Sequence, residues 1–251
     1  DDGSSLAPVL AKALSEQGWS PVILRFSGIS ELVKKKRKPF AKEIPLIELS
    51  SSAESELETS LKSLTEKHGN IGGFIHLHPA SSAPAESKLE DGANAFLKQA
   101  FLTAKNVCTF LNEAGKSDSS RSHFLAVAHL DGELGMGSGQ FGAVGSGLSG
   151  LIKTAGVEWP DVFCRFVDLQ PEITADTAAS CILQELLDSD LRIKEVGYSG
   201  SGKSGTRRMT VQPKIIRDLT TKNSSKSLTK KSVFLVSGGA RGCGLGDKAD
   251  V

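Results

Sequence analysis

Glycines near the end of the chain have the spacing that phosphate binding requires. Val233, Phe234, Leu235 and Val236 form a short apolar run, and Ser237, Gly238, Gly239, Ala240, Arg241, Gly242, Cys243 and Gly244 follow it directly. Gly238-x-x-x-Gly242-x-Gly244 after a strand has the layout of a dinucleotide loop, in which missing side chains let backbone N–H groups approach a pyrophosphate. The loop also needs a helix behind it. Residues 245–251 are few and include Gly246, so they supply none. An ordinary glycine turn is the competing reading.

Other patterns carry less chemistry. Residues 197–204 (GYSGSGKS) match a P-loop letter for letter, but that loop works only where a helix starts at its Lys-Ser end. The residues that follow, through Val211, read as a strand, so a hairpin tip rich in Gly and Ser is the better account. His76 and His78 lie two apart on a strand and share one face, yet no third metal ligand stands at a supporting spacing. Lys34, Lys35, Lys36, Arg37 and Lys38 form a basic run before Pro39, which reads as a solvated loop. No nucleophile-elbow pattern exists, and residues 135–139 (GMGSG) read as a flexible loop.

The elements that must position these residues alternate between helix and strand. Leu6, Val9, Leu10, Ala13 and Leu14 recur at helical spacing, with Ser4 or Ser5 as cap and Gly18 as stop. Strands are predicted at residues 22–26 and 44–49, then a helix through Leu57, Leu61 and Leu64 with Ser51 and Glu54 at capping-box spacing. A buried strand at 72–77 leads to a long helix ending near Gly115, and a strand at 124–127 follows. A glycine-rich helix is predicted from about Gln140 to Glu158, stopped by Pro160. A strand at 163–169, a helix through Ala178, Ile182 and Leu186, and a hairpin of residues 194–198 and 208–211 complete the pattern. Such alternation predicts an α/β fold with a Rossmann-like, doubly wound parallel sheet, here truncated and ending in a β-hairpin. Residues 213–232 read as a linker rich in Thr, Lys, Ser and Asn.

Composition narrows the class without naming it. The 251 residues are 39% hydrophobic and 24% charged with a net charge of +1, so nothing favours nucleic-acid binding. No apolar run is long enough for a membrane span, and no secretory signal opens the sequence. The four cysteines are widely spaced, as expected of reduced, buried thiols in a cytoplasmic protein. The opening Asp1, Asp2, Gly3, Ser4 and Ser5 lack a starting Met and read as a cut inside a longer polypeptide.

Four stretches carry a family resemblance: 73–79 (GFIHLHP), 124–128 (FLAVA), 149–160 (SGLIKTAGVEWP) and 164–169 (CRFVDL). With the loop at 237–242 they make the chain resemble the ketoreductase region of polyketide synthases, most narrowly the polyunsaturated fatty acid synthase branch. The resemblance implies two consecutive short-chain-dehydrogenase-like halves, a structural one and a catalytic one that binds NADPH. Residues 1–212 match the structural, pseudo-reductase half, and residues 233–251 match the opening of the catalytic half. There Gly238, Gly239, Arg241, Gly242 and Gly244 would hold NADPH were that half complete, with Arg241 toward the adenosine phosphate.

The resemblance also implies where catalysis would sit. Active members use a Tyr-x-x-x-Lys pair and a serine on the preceding strand, which donate a proton to the carbonyl and orient it. Those positions match Phe141, Gly145 and Ala128, none of which can do either. The only tyrosine is Tyr198, outside that helix. The implied role is non-catalytic support of an adjacent catalytic half that reduces 3-ketoacyl chains on acyl carrier protein domains, with no cofactor on this chain alone. Two alternatives stand beside it: a divergent active short-chain dehydrogenase, and a protein-binding scaffold module. Gly142, Gly145, Gly147, Gly150 and Gly156 each cost about 1 kcal/mol in a helix interior, which implies close approach of a neighbouring element.

Overall fold

The computed structural model describes residues 1–26, 39–51, 53–80, 91–116, 121–137, 143–200 and 205–212. Five helices and seven strands follow in the order α1 (Leu6–Glu16), β1 (Ile23–Phe26), β2 (Leu46–Leu49), α2 (Glu54–His68), β3 (Gly73–Leu77), α3 (Asp91–Gly115), β4 (Ser122–Ala128), α4 (Ala143–Glu158), β5 (Val162–Leu169), α5 (Ala175–Leu187), β6 (Glu195–Ser199) and β7 (Arg207–Thr210). Residues 1–211 form one compact unit. The basic run, Phe141, the linker and the loop Gly238, Gly239, Arg241, Gly242 and Gly244 lie outside the described residues.

Strands β3 to β6 run parallel in sequence order, and β7 closes the sheet antiparallel to β6. Strand β1 pairs with β2 in a separate parallel ribbon. The central strands β4 and β5 are apolar almost throughout because helices cover both faces of the sheet. Their alternation sorts the side chains into two cores. Phe124, Ala126, Ala128, Cys164 and Phe166 face Leu57 and Leu61 of α2, Val107 and Leu111 of α3, and Leu148 and Ile152 of α4. Leu125, Val127, Phe163, Val167 and Leu169 face Leu6 and Leu10 of α1 and Ile182 and Leu186 of α5. Leu148 and Ile152 are fully buried, each contributing about 1.5–3 kcal/mol by leaving water.

Local details correct two expectations. The first turn of α2 has no Ser51–Glu54 capping box: Ala53 is its N-cap and makes no side-chain cap. Glu56 instead accepts the N–H groups of Ser50 and Ser51 at 2.7 and 3.0 Å and both hydroxyls at 2.8 and 2.6 Å, pinning the approach to the helix. Strand β3, expected to be buried, is buried only at Leu77. The P-loop pattern begins on β6, its residues 201–204 lie outside the described residues, and β7, antiparallel to β6, follows where a helix would be needed, as the hairpin reading expects. Gly200 has φ +94° and Gly205 has φ +77°, and a Cβ on Gly200 would lie 2.8 Å from the Gly205 carbonyl oxygen.

Candidate functional site

Parallel α/β sheets bind their ligands at the carboxyl ends of the strands. Here His78 follows the end of β3, His129 and Leu130 that of β4, Gln170 that of β5, and Gly200 that of β6. The structure brings Ala128 and Gly145 together at this end. A Cβ built on Gly145 lies 3.5 Å from the Ala128 Cβ, 3.4 Å from the Leu130 Cδ2 and 3.5 Å from the His78 Cδ2. The expected serine and lysine positions are therefore neighbours, with His78 and Leu130 closing the space around them.

The close approach expected of the α4 glycines is seen only as ordinary contact, and Gly142 lies outside the described residues. Gly147 faces Leu97 of α3 at 3.5 Å, and Gly156 faces the Cβ of Cys164 on β5 at 3.4 Å. Gly147 and Gly150 are both exposed, and nothing lies within 4 Å of the Gly150 Cβ position.

The histidine pair belongs to a larger polar cluster. The rings of His76 and His78 lie 6.0 Å apart, and His78 meets Phe96 edge-on at 6.0 Å. His76 Nε2, His78 Nδ1, His129 Nδ1 and Asp2 Oδ2 are buried without a hydrogen-bond partner in the structure. Burial holds the imidazoles neutral, lowering His76 to about 3 and His78 to about 4, with smaller contributions from His78 and His129 respectively. His129 is lowered by burial as well, against the pull of Asp2. Among the described residues no group of three or more His, Cys, Asp or Glu side chains is placed to hold a metal ion.

The loop after β4 is built on two carboxylates, where spacing had suggested only a flexible loop at residues 135–139. Asp168, fully buried on β5, accepts the N–H groups of Leu130 at 2.8 Å and Leu134 at 2.9 Å. Asp131 accepts those of Glu133, Gly135 and Gly137, each at 2.8 Å. Burial pushes the Asp168 carboxyl up to about 6 against the pull of the Leu130 and Leu134 N–H groups, and the charge of nearby Asp131 adds to the rise. Burial also raises Asp131, but the N–H groups of Gly135, Glu133 and Gly137 outweigh it and bring it below its ordinary value. Leu134 adopts a strained φ of 61° in this turn, and a Cβ on Gly132 would come within 2.2 Å of the Tyr198 carbonyl oxygen. The one sequence signal for the loop is that Asp131 precedes Gly135 by four and Gly137 by six.

Tyr198 is committed elsewhere. It is buried on β6, and its hydroxyl donates to Glu185 Oε1 at 2.5 Å. Burial and Glu185 together raise its pKa far above the ordinary phenol value. Glu185 also pairs with Arg165, while Arg208 reaches it at 2.6 Å. Asp188 accepts from Arg165 at 2.8 Å and Arg208 at 2.7 Å, and Arg165 is fully buried. This network explains an arginine in the middle of an apolar strand.

A shallow cavity of about 440 Å³ lies at the carboxyl ends of β5 and β6, lined by Glu133, Gln170, Ser199, Gly200, Gly205 and Arg207. Arg207 pairs there with Glu133, and Gln170 Oε1 accepts the Gly200 N–H at 2.7 Å. Cys108, Cys164 and Cys181 are free thiols. No described helix is long and apolar enough to cross a membrane.

No family model matches the chain. It is 30% identical to a polyunsaturated fatty acid synthase subunit from Thraustochytrium sp., over 96% of this chain and 8% of that protein's length. Solved structures with a similar fold include a 3-ketoacyl-(acyl-carrier-protein) reductase from Brucella melitensis complexed with NADH, at TM-score 0.57 and 15% identity, covering 75% of this chain and 88% of that one. A short-chain dehydrogenase from Bacillus anthracis has TM-score 0.56 at 16% identity, covering 77% and 89%. An alcohol dehydrogenase from Thermococcus sibiricus, complexed with 5-hydroxy-NADP, has TM-score 0.54 at 16% identity, covering 77% and 91%. At such identities the likeness is one of fold. The chain is thus a homologue of one stretch of a polyunsaturated fatty acid synthase polypeptide, of which it spans a small part, and it has the fold of the short-chain dehydrogenases.

Proposed function

We propose that this chain is the structural, non-catalytic part of a 3-ketoacyl reductase region in a fatty-acid-making multienzyme. Residues 1–212 form the supporting half, residues 213–232 the linker, and residues 233–251 the opening of the catalytic half. The observation that carries this reading is the pair Ala128 and Gly145. They lie side by side, at the positions the resemblance assigns to the serine and the lysine, and a Cβ on Gly145 would touch Ala128, Leu130 and His78. Phe141, at the expected tyrosine position, has no proton to give, and Tyr198 is held by Glu185.

Reduction of a ketone needs a hydride and a proton delivered to the carbonyl oxygen. In this reading NADPH supplies the hydride on the adjacent catalytic half, where Gly238, Gly239, Arg241, Gly242 and Gly244 begin the cofactor loop. The residues of the supporting half bind no cofactor. Their two packed cores give the catalytic half a rigid neighbour, and the acyl chain arrives on a carrier protein domain in the cytoplasm.

The test is to express the catalytic half with and without this chain and follow NADPH oxidation with a 3-ketoacyl thioester. Turnover that depends on this chain, and survives Ala128→Val in it, is the expected result. Turnover by the catalytic half alone, at the same rate and stability, would remove the supporting role.

A further inference from the structure

The loop after β4 is tied to the sheet by a pair of carboxyl groups. Asp168 stands near the carboxyl end of β5, on the face that Cys164 and Phe166 turn towards α2, α3 and α4, and it is fully buried. Asp131 belongs to the loop itself and is half-buried. Asp168 accepts two backbone N–H groups, from Leu130 and Leu134, and Asp131 accepts three, from Glu133, Gly135 and Gly137. The two side chains are also hydrogen-bond partners of one another. Ionised carboxylates are acceptors only, so that contact needs one proton on the pair. Asp131, with more donors and more water, keeps the charge, and buried Asp168 holds the proton.

The rest of the loop has one fixed point. Gly132 is pressed against β6: a Cβ on Gly132 would collide with the Tyr198 carbonyl, and one on Gly197 with the Gly132 carbonyl. Beyond it Leu134 is strained at φ 61°, and Met136 is exposed. Glu133 reaches over the cavity at the ends of β5 and β6 to pair with Arg207 of β7. The other charges around the pair are balanced or neutral. Asp168 is in register with Gly197 of β6, and Glu195, two residues earlier on that strand, pairs with Lys153 of α4. His78 after β3 and His129 after β4 are held neutral by burial, His129 against the pull of Asp2. Among the described residues no lysine or arginine forms an ion pair with Asp131 or Asp168.

We propose that residues 130–137 form a proton-operated catch, in which one proton shared by Asp131 and Asp168 holds the loop on the sheet and its loss releases residues 133–137. Without the proton two like charges meet with no cation between them. Asp168 is fixed in β5, so Asp131 turns out to water and releases the N–H groups of Glu133, Gly135 and Gly137. The strain at Leu134 relaxes, and Glu133 leaves Arg207 and uncovers the cavity. Because the Asp168 carboxyl is raised in the closed loop, acid favours closure, and closure is lost as the pH rises through about 6. The catch is independent of the supporting role proposed above.

The test reads amide hydrogen exchange of the full chain by NMR at about pH 5 and about pH 7.5, each rate divided by the intrinsic rate at that pH. Protection of Glu133, Leu134, Gly135 and Gly137 is expected to fall about tenfold between the two, while β4 and β5 stay protected. Tenfold is what a carboxyl at about 6 in the closed loop and near its ordinary value in the open one allows. Asp168→Asn keeps a donor towards Asp131 at every pH, and the fall is expected to vanish in it. Glu133→Gln removes only the surface ion pair with Arg207, and the fall is expected to persist. Carboxyl carbon shifts of the unmodified chain give a reading that needs no variant to fold. There the pair is expected to titrate once near pH 6, with the loop amides shifting at the same midpoint. Equal loop protection at both pH values, a fall that survives Asp168→Asn, or one abolished by Glu133→Gln would overturn the proposal. So would carboxyl shifts that place both titrations below about pH 4.5.

Discussion

Replacing Gly145 by alanine and by lysine tests whether the position the resemblance assigns to a lysine has room for one. A Cβ at this site meets the Leu130 Cδ2, the Ala128 Cβ and the His78 Cδ2 at 3.4–3.5 Å, which is ordinary contact. Gly145→Ala therefore adds a methyl group without collision and removes the backbone entropy of a helical glycine, a gain of up to about 1 kcal/mol. Gly145→Lys has four more heavy atoms to place beside Ala128, which is fully buried, and Leu130 and His78, which are nearly so. Overpacking costs about 1–3 kcal/mol, and an ammonium held among neutral imidazoles brings the expected loss to about 2–5 kcal/mol. For a unit of this size that corresponds to a fall of roughly 4–20 °C in melting temperature. Urea denaturation followed by circular dichroism, with all three proteins at one pH, measures the difference. A lysine variant as stable as the alanine variant would show that a lysine fits and would refute the argument that this position is packed shut.

Glu185→Gln removes the negative charge between fully buried Arg165 and Arg208, and is expected to cost about 3–5 kcal/mol in urea unfolding. Acid weakens the fold through its histidines. His76, His78 and His123 are lowered by burial to about 3, 4 and 4, so below about pH 6.5 the unfolded chain binds protons that the folded chain refuses. Stability is level in these groups above that pH and falls as the pH drops towards 4. Asp168, raised to about 6, acts oppositely between about pH 6 and 4, so Asp168→Asn is expected to steepen the fall in urea midpoint between pH 7 and 5. Burial pushes Cys164 up to about 12 and Cys181 up to about 11, and both are expected to resist a thiol reagent at pH 8 until the protein unfolds.

Much of the fold was legible because its strongest signals are local. Strands β4 and β5 are continuous apolar runs, and Gly18 stops α1 at φ +82°, as a helix stop of this kind requires. The capping box failed because Ser50 and Ser51 found a better acceptor in Glu56, two residues beyond the expected partner. Ala128 and Gly145 were singled out only by the family resemblance, and the structure sets them side by side. His129, Asp2, and the pairing of Asp168 with Leu130 across 38 residues were not, because sequence spacing carries no record of which strand ends meet. Arg165 gave the same difficulty, since its partners Glu185 and Asp188 lie at the end of the following helix and are chosen by tertiary packing.

The most direct measurement of the central claim is a fluorescence titration of this chain alone with NADPH, run beside a 3-ketoacyl thioester assay. The account predicts no turnover, and no saturable binding that supports hydride transfer. Steady oxidation of NADPH by the isolated chain would contradict it, because a proton donor would then have to exist where the structure places Ala128, Gly145 and the neutral His78.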